Sequence, residues 1–145
     1  MRVVADTGPL VAAVNRRDRA HDLASALVVE IGRELVIPEP VLIEVDQLLR
    51  GRVSASSARA FFSGLVEGDH SVEFVTSGLL RRAVEIDAQF ADLDLGLVDA
   101  SVMAVAERHR LPVLTFDFPH FRATQPARGF WRLVVDEFQY AKATT

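Results

Sequence analysis

Short apolar runs alternate with longer segments of helical periodicity along this chain, and that alternation restricts its fold more than any other feature. Val3-Val4-Ala5, Leu35-Val36-Ile37, Val72 to Val75 and Val113 to Phe116 each read as a buried strand. The segments between them carry helical stripes. Leu10 to Val14 is predicted as a short helix. Leu23, Ala24, Leu27, Val28 and Ile31 share one face over His21 to Ile31, with Gly32 as the stop. Pro40 opens a helix whose inward positions are Val41, Leu42, Val45, Leu48 and Leu49, ending at Gly51. Ser54 caps the next, with Ala58, Phe61, Phe62, Leu65 and Val66 inward and Gly68 as the stop. Thr76 or Ser77 starts a further helix, and Val98 to Arg110 forms another. After a Pro119 to Gly129 loop, Trp131 to Val135 reads as a fifth, edge strand. The tail from Gln139 has no pattern and is predicted to be mobile. Strands and helices in this order imply an α/β fold, a mostly parallel sheet covered by helices on both faces.

At 145 residues, half of them hydrophobic, the chain is long enough to bury a core, and 1–145 is expected to form a single domain. No apolar run approaches a membrane span and no basic leader precedes an apolar stretch, so a cytoplasmic location is expected. The lack of cysteine excludes disulfides and thiolate metal sites. A net charge of −4 argues against nonspecific nucleic-acid binding. Nearly all the cations are arginines, however, which suit phosphate contacts, and Arg16, Arg17 and Arg19 form a local cluster.

Acids stand at informative places. Asp6 and Asp117 each directly follow a buried strand, where open α/β sheets hold their ligands. Asp99 falls in the first turn of the helix before the fourth strand. Glu44 lies one turn into the helix after the second strand, at one margin of its apolar stripe. Asp46 lies at the other margin, and periodicity does not choose between them. Carboxylates gathered in one crevice repel unless protonated or bridged by cations, and hard divalent ions with oxygen ligands are the usual solution. Such ions activate water and stabilise the leaving oxygen of a phosphodiester, so metal-assisted hydrolysis of a nucleic-acid backbone is the expected chemistry. Thr7 is placed to orient Asp6 or a bound water. Asp92 and Asp94 read as loop acids.

Val4-Ala5-Asp6-Thr7-Gly8-Pro9-Leu10, Glu44, Leu97-Val98-Asp99-Ala100-Ser101 and Leu114-Thr115-Phe116-Asp117, followed by Phe121, resemble the PIN domain. Length and motif order look most like a VapC-type toxin of a bacterial toxin–antitoxin pair, over Val3 to about Val135. The resemblance implies a five-stranded parallel sheet of order 3-2-1-4-5 in an α/β/α arrangement. It implies an Mg²⁺- or Mn²⁺-dependent endoribonuclease acting on RNA, a homodimer, and inhibition by a VapB-like antitoxin. Catalytic and metal-binding roles then fall on Asp6, Glu44, Asp99 and Asp117, with Thr7 in support. Where relatives often carry basic residues after the last acid, this chain has Phe118-Pro119.

Other readings fit the residues less well. Asp6-Thr7-Gly8 spells the aspartic-protease triplet, but the helical stripes contradict that β-rich fold. A receiver domain wants an acidic pair after its first strand and a late lysine, and here the only lysine, Lys142, lies in the tail. A dehalogenase-like phosphatase wants a second Asp where Gly8 stands. The competing reading from another class is a catalytically silent PIN fold that binds RNA or protein. His21, His70, His109 and His120 share no metal-ligand spacing and read as surface or helix-end residues. Phe61, Phe62 and Trp131 read as packing.

Overall fold

A computed structural model describes residues 1–145. Four parallel strands, β1 (Val3–Ala5), β2 (Leu35–Pro38), β3 (Ser71–Glu73) and β4 (Val113–Leu114), form one sheet of order β3-β2-β1-β4. Helices connect them: α1 (Thr7–Val14), α2 (His21–Ile31), α3 (Glu39–Arg52), α4 (Ala55–Val66), α5 (Ser77–Gln89) and α6 (Gly96–His109) precede β4, and α7 (Phe118–Ala123) and α8 (Glu137–Ala143) follow it. Every residue of β1 and β2 is buried. Because side chains alternate across a strand, both faces of the sheet's centre are covered, which is why these strands read as unbroken apolar runs.

Local chemistry sets most boundaries. Ser54 and Thr76 accept hydrogen bonds from Ser57 N–H and Leu79 N–H, capping α4 and α5. Gly32, at φ 58°, ends α2 in the left-handed region that glycine enters without a Cβ clash. Helix α6 is buried from Ala100 to Ala106 and packs on α3, α5 and the central strands, so it forms the spine of one layer. The main core joins Val4, Leu10, Ile37, Leu49, Met103 and Leu114 with residues as late as Val135.

Three expectations change at the C-terminal end. The fifth strand is absent as a strand, and the order is 3-2-1-4. Only Leu133 bridges Val113 in parallel, through Val113 N–H to Arg132 O at 2.8 Å and Val134 N–H to Val113 O at 3.0 Å. β4 is only two residues long, and Asp136 caps α8 soon after Leu133, so neither segment runs on as a strand beyond that bridge. An edge strand has no ladder there to extend. The predicted Pro119 to Gly129 loop begins instead as α7, with Asp117 as N-cap and Pro119 in the first turn. The tail is helical rather than patternless. Asp136 and Gln139 form a capping box at the start of α8, and Tyr140 packs on Phe116 and Phe118 at centroid distances of 4.7 and 5.5 Å.

Candidate functional site

Strand order reverses between β1 and β4, because the chain builds outward from β1 to β3 and then crosses to the other side. In open parallel sheets the crevice beyond the strands' carboxyl ends at such a point is the usual ligand site. Asp6 and Asp117 follow the two strands that flank it.

Asp6 is buried and doubly tethered. Its Oδ1 accepts the Thr7 N–H at 2.8 Å, as N-cap of α1, and its Oδ2 accepts the Thr115 hydroxyl at 2.8 Å. The Thr115 Oγ1 in turn accepts the Asp117 N–H at 3.0 Å. One buried hydroxyl therefore locks the end of β1 to the turn after β4. Thr7 contributes its backbone N–H to Asp6, while its hydroxyl is buried with no hydrogen-bond partner.

Asp99 comes from the first turn of α6 and Asp117 from the cap of α7. His120, three residues beyond that cap, points back between them. Its Nδ1 lies 2.6 Å from Asp117 Oδ2 and 3.3 Å from Asp99 Oδ2, without the alignment of a hydrogen bond to either. Ligand atoms of Asp99, Asp117 and His120 all lie within 4.8 Å of one another, a spacing at which they can share an ion. Asp6 and Glu44 stand outside that tight group, yet their charges act on it. Glu44 raises the proton affinity of both Asp6 and Asp99.

The electrostatics follow from burial and crowding. Burial pushes the Asp6 carboxyl up, its hydrogen bonds from Thr115 and Thr7 oppose this, and the charges of Asp117 and Glu44 push it up further. Asp99 rises to about 7, mainly through burial, then through the neighbouring Asp6 and Asp117 carboxylates; His120 pulls it back, and Glu44 adds to the rise. Without a cation, Asp6 and Asp99 both bind a proton more tightly than carboxyls in water do.

The sequence-predicted acids thus converge on one edge, in a tight pair and two surrounding charges. Both acids of α3 are half-buried, but Asp46 bonds Arg50 at 2.9 Å, whereas Glu44 is the one whose charge acts on Asp6 and Asp99. Asp92 and Asp94 are exposed and outside the cluster. Arg16, Arg17 and Arg19 lie exposed on the loop after α1 and make no ion pair. His120, expected at the surface, is instead in the pocket, and Thr115 is a second residue that sequence reasoning passed over. The Asp117-Phe-Pro-His120 spacing was the available signal for the first, since an N-cap and the residue three on face each other. A threonine inside an apolar run was the only hint of the second.

A parallel α/β sheet with an anionic pocket at its switch point defines the class: the side chains are arranged to gather positive charge over the ends of two central strands. The chain belongs to the PIN-domain family, whose model matches residues 3–125. Ribonuclease VapC26 of Mycobacterium tuberculosis (strain H37Rv) is 27% identical over 128 residues, covering 88% of this chain and 95% of that protein. Among solved structures, M. tuberculosis VapC20, described as a Sarcin-Ricin loop cleaving toxin, superposes with a TM-score of 0.75 at 24% identity, over 83% of this chain and 94% of that one. A toxin–antitoxin complex from Klebsiella pneumoniae gives a TM-score of 0.63 at 19% identity, over 82% and 89% of the two chains. VapBC2 from Rickettsia felis, bound to a DNA fragment from its promoter, gives 0.63 at 13% identity, over 85% and 92%. No helix of this chain is long and apolar enough to cross a membrane.

Proposed function

We propose that this protein is a divalent-metal-dependent endoribonuclease of the VapC type, the toxin of a toxin–antitoxin pair. The observation that carries the reading is the meeting of Asp99, Asp117 and His120 within 4.8 Å, with Asp6 and Glu44 charging the same pocket. The ribonuclease and toxin relatives named above support the substrate class. The whole chain is read as one domain, since a single main core runs from Val3 to Val135.

The donor set fits Mg²⁺ or Mn²⁺. Carboxylate oxygens suit such hard ions, and the raised proton affinities of Asp6 and Asp99 mark charge in need of a partner. Asp99 and Asp117 would hold the ion directly, with Asp6 and Glu44 acting directly or through its hydration shell. When bound, the metal supplies activation of water and stabilisation of charge on the cleaved phosphodiester. Asp6, immobilised by Thr115 and Thr7, keeps one carboxylate in fixed orientation at the floor of the pocket. The Thr7 hydroxyl, buried and without a hydrogen-bond partner in the fold, is the polar group next to Asp6 in sequence. The His120 ring nitrogen faces both Asp99 and Asp117, placed to serve as a further ligand or to carry a proton beside the substrate.

The relatives solved as toxin–antitoxin complexes support a VapB-like antitoxin as partner, and a homodimer in the cytoplasm is the assembly we expect. RNA cleavage with purified protein tests the function. Activity should require Mg²⁺ or Mn²⁺, disappear in chelator, and fall to background in Asp6→Asn and Asp99→Asn. Binding of RNA or protein that needs no metal and survives both substitutions, with no turnover, would instead identify a silent PIN-fold module.

A further inference from the structure

The far end of α6 carries the opposite charge from its beginning. Asp99 stands in the first turn of that helix, and Arg108 and Arg110 stand at its end. Eleven residues separate Asp99 from Arg110, about 16 Å along a helix at ~1.5 Å per residue. There α6 and the loop from 126 to 132 enclose a cleft of ≈ 730 Å³ lined by Arg108, Arg110, Arg128, Arg132, Phe130 and Trp131. In a chain of net charge −4, four arginines on one concavity are a strong local reversal.

None of the four makes an ion pair. The one acid in the lining, Glu107, is taken: Arg82 binds both its oxygens, at 2.6 and 2.9 Å, and it also accepts the Ala127 N–H at 2.7 Å. That last bond fixes the loop against α6. Trp131 Nε1–H donates to Thr124 Oγ1 at 3.0 Å and its ring meets Phe121 edge-on, while Arg132 donates to Arg110 O at 2.6 Å. The loop is thus anchored on both sides and presents Arg128 and Phe130 at its tip. Phe130 is 87% exposed, so nothing in the fold explains its ring. Cations at a helix C-terminus suit the dipole, which accounts for Arg108 and Arg110 but not for Arg128, Arg132 or Phe130, which come from a separate segment.

We propose that this cleft is a second RNA-binding site, distinct from the acidic pocket, that grips an unpaired stretch of the substrate strand. Guanidinium groups contact its phosphates and Phe130 stacks on a base, the combination by which proteins hold single-stranded nucleic acid. The inference rests on RNA being the substrate, as proposed above. The loop that supplies Arg128, Phe130 and Arg132 lies beyond residues 3–125 matched to the family, while Arg108 and Arg110 lie within them.

Binding of labelled single-stranded RNA, measured by fluorescence anisotropy in chelator so that nothing is cleaved, tests it. The strand should exceed the roughly 4–16 nucleotides of ordinary single-strand sites. The triple variant Arg108→Ala, Arg128→Ala, Arg132→Ala should bind at least about tenfold more weakly. Its slope of log-affinity against log-salt should shrink by about 2, at ~0.7 for each phosphate no longer neutralised. Phe130→Ala, a single exposed change, should weaken binding several-fold without altering that slope. A control of equal charge, Arg52→Ala, Arg59→Ala, Arg81→Ala, removes arginines outside the cleft and should keep the wild-type slope. A fully paired duplex of the same sequence should bind more weakly than the single strand. Equal affinity and slope for wild type and cleft variant overturns the proposal, as does an equal loss in the control. Absence of cleavage by wild type with metal would overturn the nuclease reading, while the anisotropy result would still decide the cleft.

Discussion

Thr115 is where the fold and the candidate chemistry meet in one atom. Its hydroxyl donates to Asp6, 109 positions away in sequence, and accepts from the Asp117 backbone. Thr115→Val keeps the shape of the side chain and leaves a buried carboxylate oxygen and a backbone N–H unpaired. We expect a loss of about 1–3 kcal/mol in urea unfolding, the usual cost of such orphaned groups. Metal-dependent cleavage should fall with it, because Asp6 and Asp117 lose their common tether. A variant with full activity and unchanged stability would show that the hydroxyl positions nothing. His120 belongs to the same scale: its ring nitrogen faces both Asp99 and Asp117, and it lowers the proton affinity of Asp99.

Among the elements, α8 has the least expected importance and a clear structural reason. Seven residues make too short a helix to persist alone in water. What holds it is the Asp136–Gln139 capping box, an ion pair between Arg122 of α7 and Glu137, and Tyr140 against Phe116 and Phe118. Those two phenylalanines flank Asp117, so the C-terminal helix braces the turn that carries a candidate ligand. Tyr140→Ala should cost about 1–3 kcal/mol, from two aromatic pairs at ~0.5–1.5 kcal/mol each beyond the lost area. Amide hydrogen exchange should accelerate in α8 and at residues 116–120 together. Faster exchange confined to α8 would show that the brace does not reach the site.

For the whole molecule, the acidic pocket sets a pH dependence with a definite sign. Asp99 has a raised proton affinity in the fold, to about 7, against ~3.9 for an aspartate in an unfolded chain. The folded state therefore binds more protons across that interval, and this group's contribution to stability is present in full below about pH 4 and is lost as pH climbs toward 7. Asp6 acts in the same direction. Metal-free protein should show a midpoint of thermal unfolding that declines across this window once other groups are accounted for, and Asp99→Asn should flatten the decline. Mg²⁺ or Mn²⁺ needs the ionised carboxylates, so its affinity should rise with pH over the same interval. Metal at about pH 8 and a hundredfold excess over Kd should restore stability by ~2.7 kcal/mol. A pH-independent metal affinity between about pH 5 and 8, measured calorimetrically, would rule out the protonated pocket.

The amino-acid sequence by itself determined the central strands, the main helices and the positions of Asp6, Asp99 and Asp117. Buried parallel strands must be apolar on both faces and helices must be striped, so each pattern is local and visible. It also placed Glu44 and Asp46 on their helix without choosing between them. That choice, the role of His120 and the bridge through Thr115 were decided only by tertiary structure, because each depends on which distant residues meet across the β1–β4 crevice. The missing fifth strand has the same origin: whether Trp131 to Val135 pairs depends on how long β4 runs, and its two residues leave a single bridge, Val113 to Leu133. The capping box of α8 was written in Asp136 and Gln139, but so short a helix acquires its stability from the aromatic rings it covers, and that packing exists only in the folded chain.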